Sequence, residues 1–454
     1  MNLNQIQNVY FIGIGGIGMS ALARYFQFIG KDVAGYDKTP TMLTGELEQA
    51  GMKIHFTDDT NQIPKHFTKD NTLVVITPAV KELSEWIYFQ EQGFVIKKRA
   101  EVLGIITKDT FCFAVAGTHG KTTTSSILGH ILFDAGLDVT AFLGGIVENY
   151  HSNLIGKGKT ISVVEADEFD RSFLHLHPDI ACVTSMDADH LDIYGDKNAI
   201  EDSFREFAAK VKDKTKLFVP KGVPLDGVEL SISNSNIPSV EVWGLVAFNI
   251  RIENSKYVFD VQTPTEIIEN VKFGLPGHHN LMNALTALAM AKEYGVSNQK
   301  IIDALASFKG VQRRFSYQIQ SEKLVYIDDY AHHPTEINAV HQAVRELYPN
   351  KKVLAVFQPH LFSRTQDFAD DFATSLSHFD EVVLLDIYPA REKPIEGVTS
   401  SWLLDKIENH NKKLIQKNEV LAYLKNSDAD VIVTIGAGDI GEMVPNLKKE
   451  LENK

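Results

Sequence analysis

Two glycine-rich segments, each placed between a short apolar run and an amphipathic stretch, constrain the fold of this chain most strongly. The first, Gly13 to Gly18, follows the apolar run Val9 to Ile12, and the second, Gly117 to Thr124, follows Phe111 to Ala116. Loops of this kind join a buried parallel strand to a helix, because glycine permits the tight turn. The sequence therefore predicts at least two α/β units rather than an all-β or all-helical fold.

Further Val- and Ile-rich runs alternate with helical patterns along the chain, which predicts mostly parallel sheets with crossover helices. The 454 residues suit three domains at roughly 150 residues each. We expect an α/β protein of three domains, namely a Rossmann-like N-terminal domain (1–108), a central P-loop ATPase-like domain with a mostly parallel sheet (109–312) and a Rossmann-like C-terminal domain (313–454). The turn-rich stretch 217–272 predicts a small antiparallel sheet.

The charge balance disfavours nucleic acid as a partner. Lys plus Arg total 45 against 59 Asp plus Glu, a net charge of −14, whereas polyanion binding needs a basic face. No apolar run approaches the ~20 residues that span a bilayer, and the N-terminus lacks a basic segment before its first strand. Cys112 and Cys182 lie in strand-like apolar runs and are expected to be core thiols. We expect a cytoplasmic protein without a membrane or nucleic-acid partner.

The first glycine segment fits G-x-G-x-x-G between a strand and a helix. Its backbone N–H groups and the helix N-terminus would cradle a diphosphate. Asp37 lies 19 residues after Gly18, where its carboxylate can accept from a ribose hydroxyl. Alternatively, the glycines serve only the close packing of the helix against the strand, and the loop binds no diphosphate. The loop alone does not separate a UDP-sugar from a nicotinamide cofactor, so an oxidoreductase stays open at this point.

The second segment has a Gly-Lys-Thr core, in which Lys121 can reach terminal phosphates and Thr122 can ligate Mg²⁺. A strict P-loop has glycine where this chain has Val115, so the loop is a shorter variant. Two acidic segments follow at the ends of later strands, Glu165 to Asp170 and Asp187 to Asp192, the latter including His190. Such groups beside a phosphate loop predict a Mg²⁺ site.

Downstream, polar residues again follow helix starts and strand ends. Asn280 and Asn283 share a helix face and can cap the helix or read a base. Arg313 and Arg314 lie at the junction with the third block and can be solvated or clamp phosphate. The segments 328–336 and 358–364 fall at the carboxyl edge of the third sheet, where α/β proteins bind ligands.

Together these segments resemble the Mur ligase family of ATP-dependent amide-bond synthetases. The motifs that carry the resemblance span nearly the whole chain: GIGGIGMS, RAEVL, AGTHGKTTT, EADEFDRSFLHL, DADHLDIY, GHHNLMNALTAL, GVQRRF, DDYAHHPTE and FQPHLFSRT. The resemblance implies that the first domain binds a UDP-sugar, the central domain ATP and the last domain an amino acid.

The resemblance also implies site residues. The UDP-sugar would contact Gly13, Gly15, Gly16, Ile17, Gly18, Asp37 and Arg99. ATP would contact Gly117, Thr118, His119, Gly120, Lys121, Thr122, Thr123, Asn280, Asn283, Arg314 and Asp329. The amino acid would contact Tyr330, His333 and Arg364, and Mg²⁺ would be held by Thr122, Glu165 and His190. The implied catalytic residues are Lys121, Glu165, His190, Arg314, His333 and Arg364.

The implied reaction joins L-alanine to the lactyl carboxylate of UDP-N-acetylmuramate through an acyl phosphate, with ATP as co-substrate and Mg²⁺ as cofactor, in a monomer or homodimer. Two features set this chain apart within the family pattern. Leu361 stands where the alanine-adding branch commonly carries Arg. The contact to a carboxylate or phosphate that this Arg would make would then have to come from Arg364 or Arg391. No carbamylated lysine can be placed, which fits that branch.

Three alternatives remain. A ligase that recycles a murein tripeptide onto UDP-N-acetylmuramate would share most of these motifs. A nicotinamide-dependent oxidoreductase would leave the second loop unexplained. A non-catalytic nucleotide-binding regulator would leave the acidic and histidine residues unexplained.

Overall fold

The computed structural model describes residues 3–77, 83–187, 197–238, 243–253, 256–390 and 392–452. The chain divides into two compact units. The first comprises residues 1–251, 258–273 and 282–308, and the second comprises 252–257, 274–281 and 309–454. Within the described ranges, the strands form three sheets, so the three-domain α/β architecture predicted from the sequence is confirmed.

The N-terminal sheet has five parallel strands in the order β3-β2-β1-β4-β5. Its order reverses beside β1, so the loop after β1 lies at the switch point where such sheets bind ligands. The strands are β1 (Asn8–Ile12), β2 (Asp32–Tyr36), β3 (Lys53–His55), β4 (Thr72–Ile76) and β5 (Val95–Lys98). The helices are α1 (Ile17–Phe28), α2 (Met42–Gln49), α3 (Ser84–Glu91) and α4 (Arg99–Lys108).

The central sheet has ten strands in the order β15-β14-β13-β12-β11-β10-β6-β9-β7-β8. These are β6 (Phe111–Ala116), β7 (Val139–Val147), β8 (Ser152–Ile155), β9 (Ile161–Ala166), β10 (Ile180–Val183), β11 (Leu217–Pro220), β12 (Val228–Ile232), β13 (Leu245–Glu253), β14 (Lys256–Gln262) and β15 (Ile267–Phe273). The helices are α5 (Lys121–Asp134), α6 (Lys197–Ala209), α7 (His278–Glu293) and α8 (Asn298–Ser307).

The prediction of a small antiparallel sheet at 217–272 is wrong for the first three strands of this stretch. Strands β11, β12 and β13 continue the central sheet, and the pairs β10–β11, β11–β12 and β12–β13 are parallel. The turns and β-branched residues of this stretch indicated strands correctly. These local features do not show which sheet the strands join or in which direction they pair, because both depend on contacts between distant parts of the chain.

The C-terminal sheet has six strands in the order β16-β17-β21-β18-β19-β20, with β16 antiparallel to β17 and the other pairs parallel. They are β16 (Ser316–Gln320), β17 (Val325–Asp329), β18 (Val353–Phe357), β19 (Glu381–Leu384), β20 (Lys412–Leu414) and β21 (Val431–Ile435). The helices are α9 (Pro334–Leu347), α10 (Phe362–Asp367), α11 (Ala369–Ser377), α12 (Ser400–Lys406), α13 (Val420–Asn426) and α14 (Ile440–Leu451).

One apolar core runs through the first unit and joins its two sheets. Side chains of the N-terminal domain, such as Val9 and Phe26, belong to the same buried cluster as Phe142 and Val164 of the central domain. The Tyr25 ring packs edge-on against Phe142, with 5.2 Å between the ring centroids. This shared packing fixes the position of the first glycine loop relative to the central sheet.

The two cysteines lie in neighbouring strands of the central sheet. Cys112 in β6 and Cys182 in β10 are fully buried and unbridged, and burial raises the pKa of both thiols. The prediction of core thiols is confirmed. None of the helices within the described ranges combines the length and apolarity needed to cross a lipid bilayer.

Candidate active site

The first glycine loop forms a tight turn that leaves the start of α1 open. Gly13 has φ +86°, and the Gly16 N–H donates to the Gly13 carbonyl at 3.2 Å. Helix α1 begins at Ile17 without a side-chain cap and without an acidic residue in its first turn. Its first N–H groups are therefore available to an anion, which the helix dipole also favours.

Asp37 closes this loop from the adjacent strand end. Its Oδ2 accepts from the Gly15 N–H at 2.7 Å. A Cβ on Gly15 would lie 2.8 Å from that same oxygen, so the close approach depends on glycine. The sequence predicted a ribose contact for Asp37. In the structure, this carboxylate shapes the loop.

Arg99 faces the loop from the start of α4. A Cβ on Gly18 would lie 2.5 Å from Arg99 Nη1, so glycine makes room for the guanidinium. Arg99 Nη2 donates to Asp167 Oδ2 at 3.1 Å. Asp167 lies just beyond β9 in the central domain, so this pair connects the two sheets of the first unit.

The second glycine loop contains two backbone positions that require glycine. Gly117 has φ +129° and Gly120 has φ +81°. A Cβ on Gly117 would lie 2.1 Å from Thr184 Oγ1, and one on Gly120 would lie 2.6 Å from Asn283 Oδ1. The loop is further held by Thr118 Oγ1, which donates to the Asp187 carbonyl at 3.0 Å, and by the His119 N–H, which donates to Ser185 Oγ at 2.9 Å.

Lys121 starts α5 and is held by a buried carboxylate. Its Nζ donates to the two carboxylate oxygens of Glu168 at 2.9 and 2.7 Å and to the Gly117 carbonyl at 2.7 Å. Burial is the largest single influence on the pKa of Lys121 and would lower it, but the negative charges of Glu168, Asp167 and Glu165, with the hydrogen bond to Glu168, together raise that pKa. Lys121 is therefore a cation at neutral pH, fixed at the mouth of the loop.

Glu165, at the end of β9, accepts hydrogen bonds from three sides. The donors are Thr122 Oγ1 and Ser125 Oγ, each at 3.2 Å, and the Gly144 N–H at 2.5 Å. Neither Ser125 nor Gly144 was predicted from the sequence. The signal for Gly144 was a glycine inside a strand, which often marks a close approach, since a Cβ there would lie 2.5 Å from Glu165 Oε2.

A cavity of about 980 Å³ lies within the first unit and is lined by residues of both glycine loops. The cavity wall includes both predicted UDP-sugar residues and predicted ATP and metal residues: Gly13, Gly15, Gly16, Ile17, Gly18, Asp37, Arg99, Lys121, Thr122 and Glu165. The sequence did not identify the other polar lining groups Tyr36, Lys38 and Thr77, or the apolar Leu83, Leu103, Phe142 and Leu143. The volume lies at the upper end of the range of small-molecule sites.

The two asparagines of α7 are both buried but make different contacts. Asn283 Oδ1 accepts from Thr124 Oγ1 at 3.1 Å, so it supports the helix that follows the second loop. Asn280 Nδ2 donates to the Pro276 carbonyl at 2.7 Å, one turn earlier. Both side chains thus make hydrogen bonds within the protein. The contact with a base that the resemblance implies stays a prediction.

Arg314, Asp329 and Tyr330 belong to the second unit. Asp329 accepts from the N–H groups of Phe315 at 2.6 Å and Ala331 at 2.7 Å. Burial raises the pKa of Asp329 to about 7, although the nearby Arg314 charge opposes this. The guanidinium carbons of Arg313 and Arg314 each lie 5.1 Å from the centroid of the Tyr330 ring, a cation–π arrangement.

His333 and Arg364 lie in the same unit and are buried. His333 caps α9, its Nδ1 accepting from the Thr335 N–H at 3.3 Å, and its ring meets the Phe368 ring edge-on. Arg364 Nη1 lies 3.4 Å from His360 Nδ1. Leu361, which stands where an arginine was expected, has φ +70°, an unusual conformation for a branched side chain.

Two predicted residues, His190 and Arg391, lie outside the described residues. Within the part of the chain that the structure describes, no group of three or more His, Cys, Asp or Glu side chains is arranged as a metal site.

Family models match three consecutive parts of the chain. They are described as the Mur ligase family catalytic domain at residues 8–110, the Mur ligase middle domain at 115–291 and the Mur ligase glutamate ligase domain at 313–438.

Curated relatives match along their full length. The UDP-N-acetylmuramate–L-alanine ligase of Flavobacterium psychrophilum is 72% identical, covering 100% of both chains. That of Flavobacterium johnsoniae is 70% identical, covering 99% of both.

Two solved structures share the fold. A UDP-N-acetylmuramate–alanine ligase from Thermotoga maritima superimposes with a TM-score of 0.81 at 26% identity, covering 98% of this chain and 99% of that one. A murein peptide ligase from Psychrobacter arcticus has a TM-score of 0.71 at 24% identity, covering 99% of both chains. On the family models and the full-length relatives together, the chain belongs to the Mur ligase family.

Proposed function

We propose that this protein joins L-alanine to the lactyl carboxylate of UDP-N-acetylmuramate, using ATP and releasing ADP and phosphate, in peptidoglycan assembly. The observation that carries the proposal is the cavity lined by both glycine loops, which suits a reaction between a UDP-sugar and the end of a nucleotide triphosphate. Relatives that are 70% and 72% identical over essentially the whole chain are named for this reaction.

The proposed chemistry has two steps. The lactyl carboxylate attacks the γ-phosphorus of ATP, a carboxylate O–P bond forms, and the bond to the β-phosphate breaks to release ADP. The amine of L-alanine then attacks the acyl carbon, loses a proton, and expels phosphate as the amide bond forms. ATP is needed because a free carboxylate is too poor an acylating agent in water.

Lys121 is the residue that meets the charge developing in the first step. It is cationic, fixed, and lines the cavity beside Thr122 and Glu165. A preorganised ammonium at a transferring phosphoryl group stabilises the transition state without the cost of reorienting water. Glu168 holds this ammonium in place through two hydrogen bonds.

Thr122 and Glu165 are suited to Mg²⁺. Their oxygens lie 3.2 Å apart at the cavity wall, and a hydroxyl with a carboxylate is the oxygen pair that hard cations prefer. We propose these two as Mg²⁺ ligands, with His190 as a third. When bound, the ion would neutralise phosphate charge and orient the γ-phosphoryl group.

The remaining assignments follow the family resemblance. We propose that the diphosphate of the UDP-sugar is held by the first loop with Asp37 and Arg99, and that ATP contacts the second loop with Asn280, Asn283, Arg314 and Asp329. The amino acid would meet Tyr330, His333 and Arg364. Domains at 1–108, 109–312 and 313–454 would each bring one substrate. We further propose that the protein works in the cytoplasm, where ATP is abundant, as a monomer or homodimer.

The direct test is phosphate release from ATP and UDP-N-acetylmuramate with L-alanine, with the murein tripeptide, or with no amine. We expect release to depend on L-alanine and to yield UDP-N-acetylmuramoyl-L-alanine. Release with the tripeptide alone would replace this proposal with the recycling ligase. Family membership removes the ground for the oxidoreductase alternative.

A further inference from the structure

A fully buried carboxyl group lies in the N-terminal domain, outside the set of residues assigned above. Glu85, in the first turn of α3, has no exposed surface. Its Oε2 accepts from the Tyr10 hydroxyl at 2.6 Å, and its Oε1 lies 2.5 Å from His55 Nε2. Burying such a group costs free energy even when it is paired, and an apolar side chain would fill the space more cheaply. The cluster therefore needs an explanation beyond packing.

Tyr10 is a fixed donor in this cluster. Burial raises its pKa, and the neighbouring Glu85 raises it further, so the hydroxyl keeps its proton. The Tyr10 ring packs against Phe89 and Phe67. Glu85 is thus anchored to the middle of the sheet, and its second oxygen is directed at His55.

His55 ends an edge strand of only three residues. Strand β3 pairs with β2 alone, with His55 opposite Tyr36. So short a strand has few ladder hydrogen bonds to fix its position. The contact between the His55 ring and Glu85 additionally fixes the strand, because it joins β3 to α3.

From His55, two contacts lead to the cavity. Its carbonyl accepts from the Asp37 N–H at 3.1 Å, and its ring centroid lies 5.8 Å from that of Tyr36. Asp37 in turn accepts from the Gly15 N–H, and both Tyr36 and Asp37 line the cavity. A continuous series of contacts therefore runs from Glu85 through His55 and Asp37 to the first glycine loop.

We propose that Glu85 and His55 are a positioning pair for the UDP-sugar site. They hold the end of β3, and this fixes the positions of Tyr36 and Asp37 in the cavity wall. Asp37 can then keep its hydrogen bond to the Gly15 N–H in the first glycine loop. Neither side chain touches the substrate. This inference rests on the proposed function, since it assigns the wall near Asp37 to the UDP-sugar rather than to ATP.

The test measures three KM values and the dissociation constant of UDP-N-acetylmuramate for Glu85→Gln and His55→Asn. Glu85→Gln preserves shape and one acceptor for Tyr10, so it tests the pair without opening a cavity. We expect KM and the dissociation constant for UDP-N-acetylmuramate to rise about tenfold. KM for ATP and L-alanine should stay within about twofold of wild type, and kcat should change little.

The control is His66→Ala, which removes a half-exposed histidine paired with Asp32 at 2.7 Å in the same domain and should leave all constants unchanged. Unchanged UDP-N-acetylmuramate affinity in Glu85→Gln would overturn the inference, as would an equal rise of all three KM values, which is the pattern of a general structural defect. Failure of the proposed function can be told apart from failure of this inference, because the wild-type protein itself would then not bind UDP-N-acetylmuramate.

Discussion

Lys121 and Glu168 form a buried ion pair whose members must be considered together. The Glu168 side chain is 3% exposed and that of Lys121 is 16% exposed. Removing one member of such a pair leaves the other without its counter-charge, which commonly costs ~3–5 kcal/mol of stability. The contribution that we propose for Lys121 in phosphate chemistry is therefore combined with a contribution to the stability of the fold.

For this reason Lys121→Ala should lower both activity and stability. We expect kcat/KM for ATP to fall by roughly 10²- to 10³-fold, because this variant lacks the cation that we propose stabilises the transferring phosphoryl group. The midpoint of thermal unfolding should also fall. Kinetics and calorimetry on the same preparation would check both.

The matched variant is Lys121→Ala with Glu168→Gln, which removes the isolated carboxylate. It should recover most of the stability and none of the activity. If the double variant ligated alanine at the wild-type rate, Lys121 would have no catalytic role.

At the scale of elements, the loop between β6 and α5 owes its shape to glycine and to a neighbouring strand end. Gly117 packs so closely on Thr184 and Ser185 that a Cβ would lie 2.1 and 2.8 Å from their atoms. Its φ of +129° adds strain for any other residue. The loop therefore cannot accept a side chain without moving Lys121 and Thr122, which follow it.

Gly117→Ala should displace the loop and reduce kcat/KM for ATP about 100-fold, the scale expected for a misplaced catalytic group. Gly45→Ala is the control. Gly45 lies in α2 with open space around it, so alanine there should be neutral or stabilise the helix by up to ~1 kcal/mol. Equal activity in the two variants would show that the loop tolerates displacement.

Most of the sheet strands could be predicted from the sequence. The runs Val9–Ile12 and Phe111–Ala116 match β1 and β6, because a parallel strand buried on both faces is a continuous apolar run. Strand β3 was missed, since Lys53–His55 is short and polar and owes its position to β2 and to the His55–Glu85 contact. Pattern reasoning does not detect elements stabilised in this way.

The site was predictable only in part. The spacing of glycine, lysine and threonine in the loops is itself typical of phosphate-binding loops. The residues of both loops could therefore be identified from the sequence. Glu168 and Gly144 were not assigned roles, because their contacts with Lys121 and Glu165 join separate strand ends. Such contacts appear only once the sheet order is known.

At the scale of the whole molecule, the first unit brings residues of both glycine loops to one cavity. A shared apolar core and the Arg99–Asp167 pair hold the N-terminal and central sheets together. This arrangement places the predicted UDP-sugar loop and Lys121 on one cavity wall, which the sequence alone implied only through the family resemblance. We propose that a carboxylate of the UDP-sugar attacks ATP in this cavity.

UDP-N-acetylmuramate labelled with ¹⁸O in its lactyl carboxylate tests this reaction step. With ATP and L-alanine, mass spectrometry of the released phosphate should show one ¹⁸O atom transferred per turnover, because the carboxylate oxygen leaves with phosphorus when the amide forms. Ligation that yields unlabelled phosphate would contradict the acyl-phosphate route and the proposed attack of the carboxylate on ATP in this cavity.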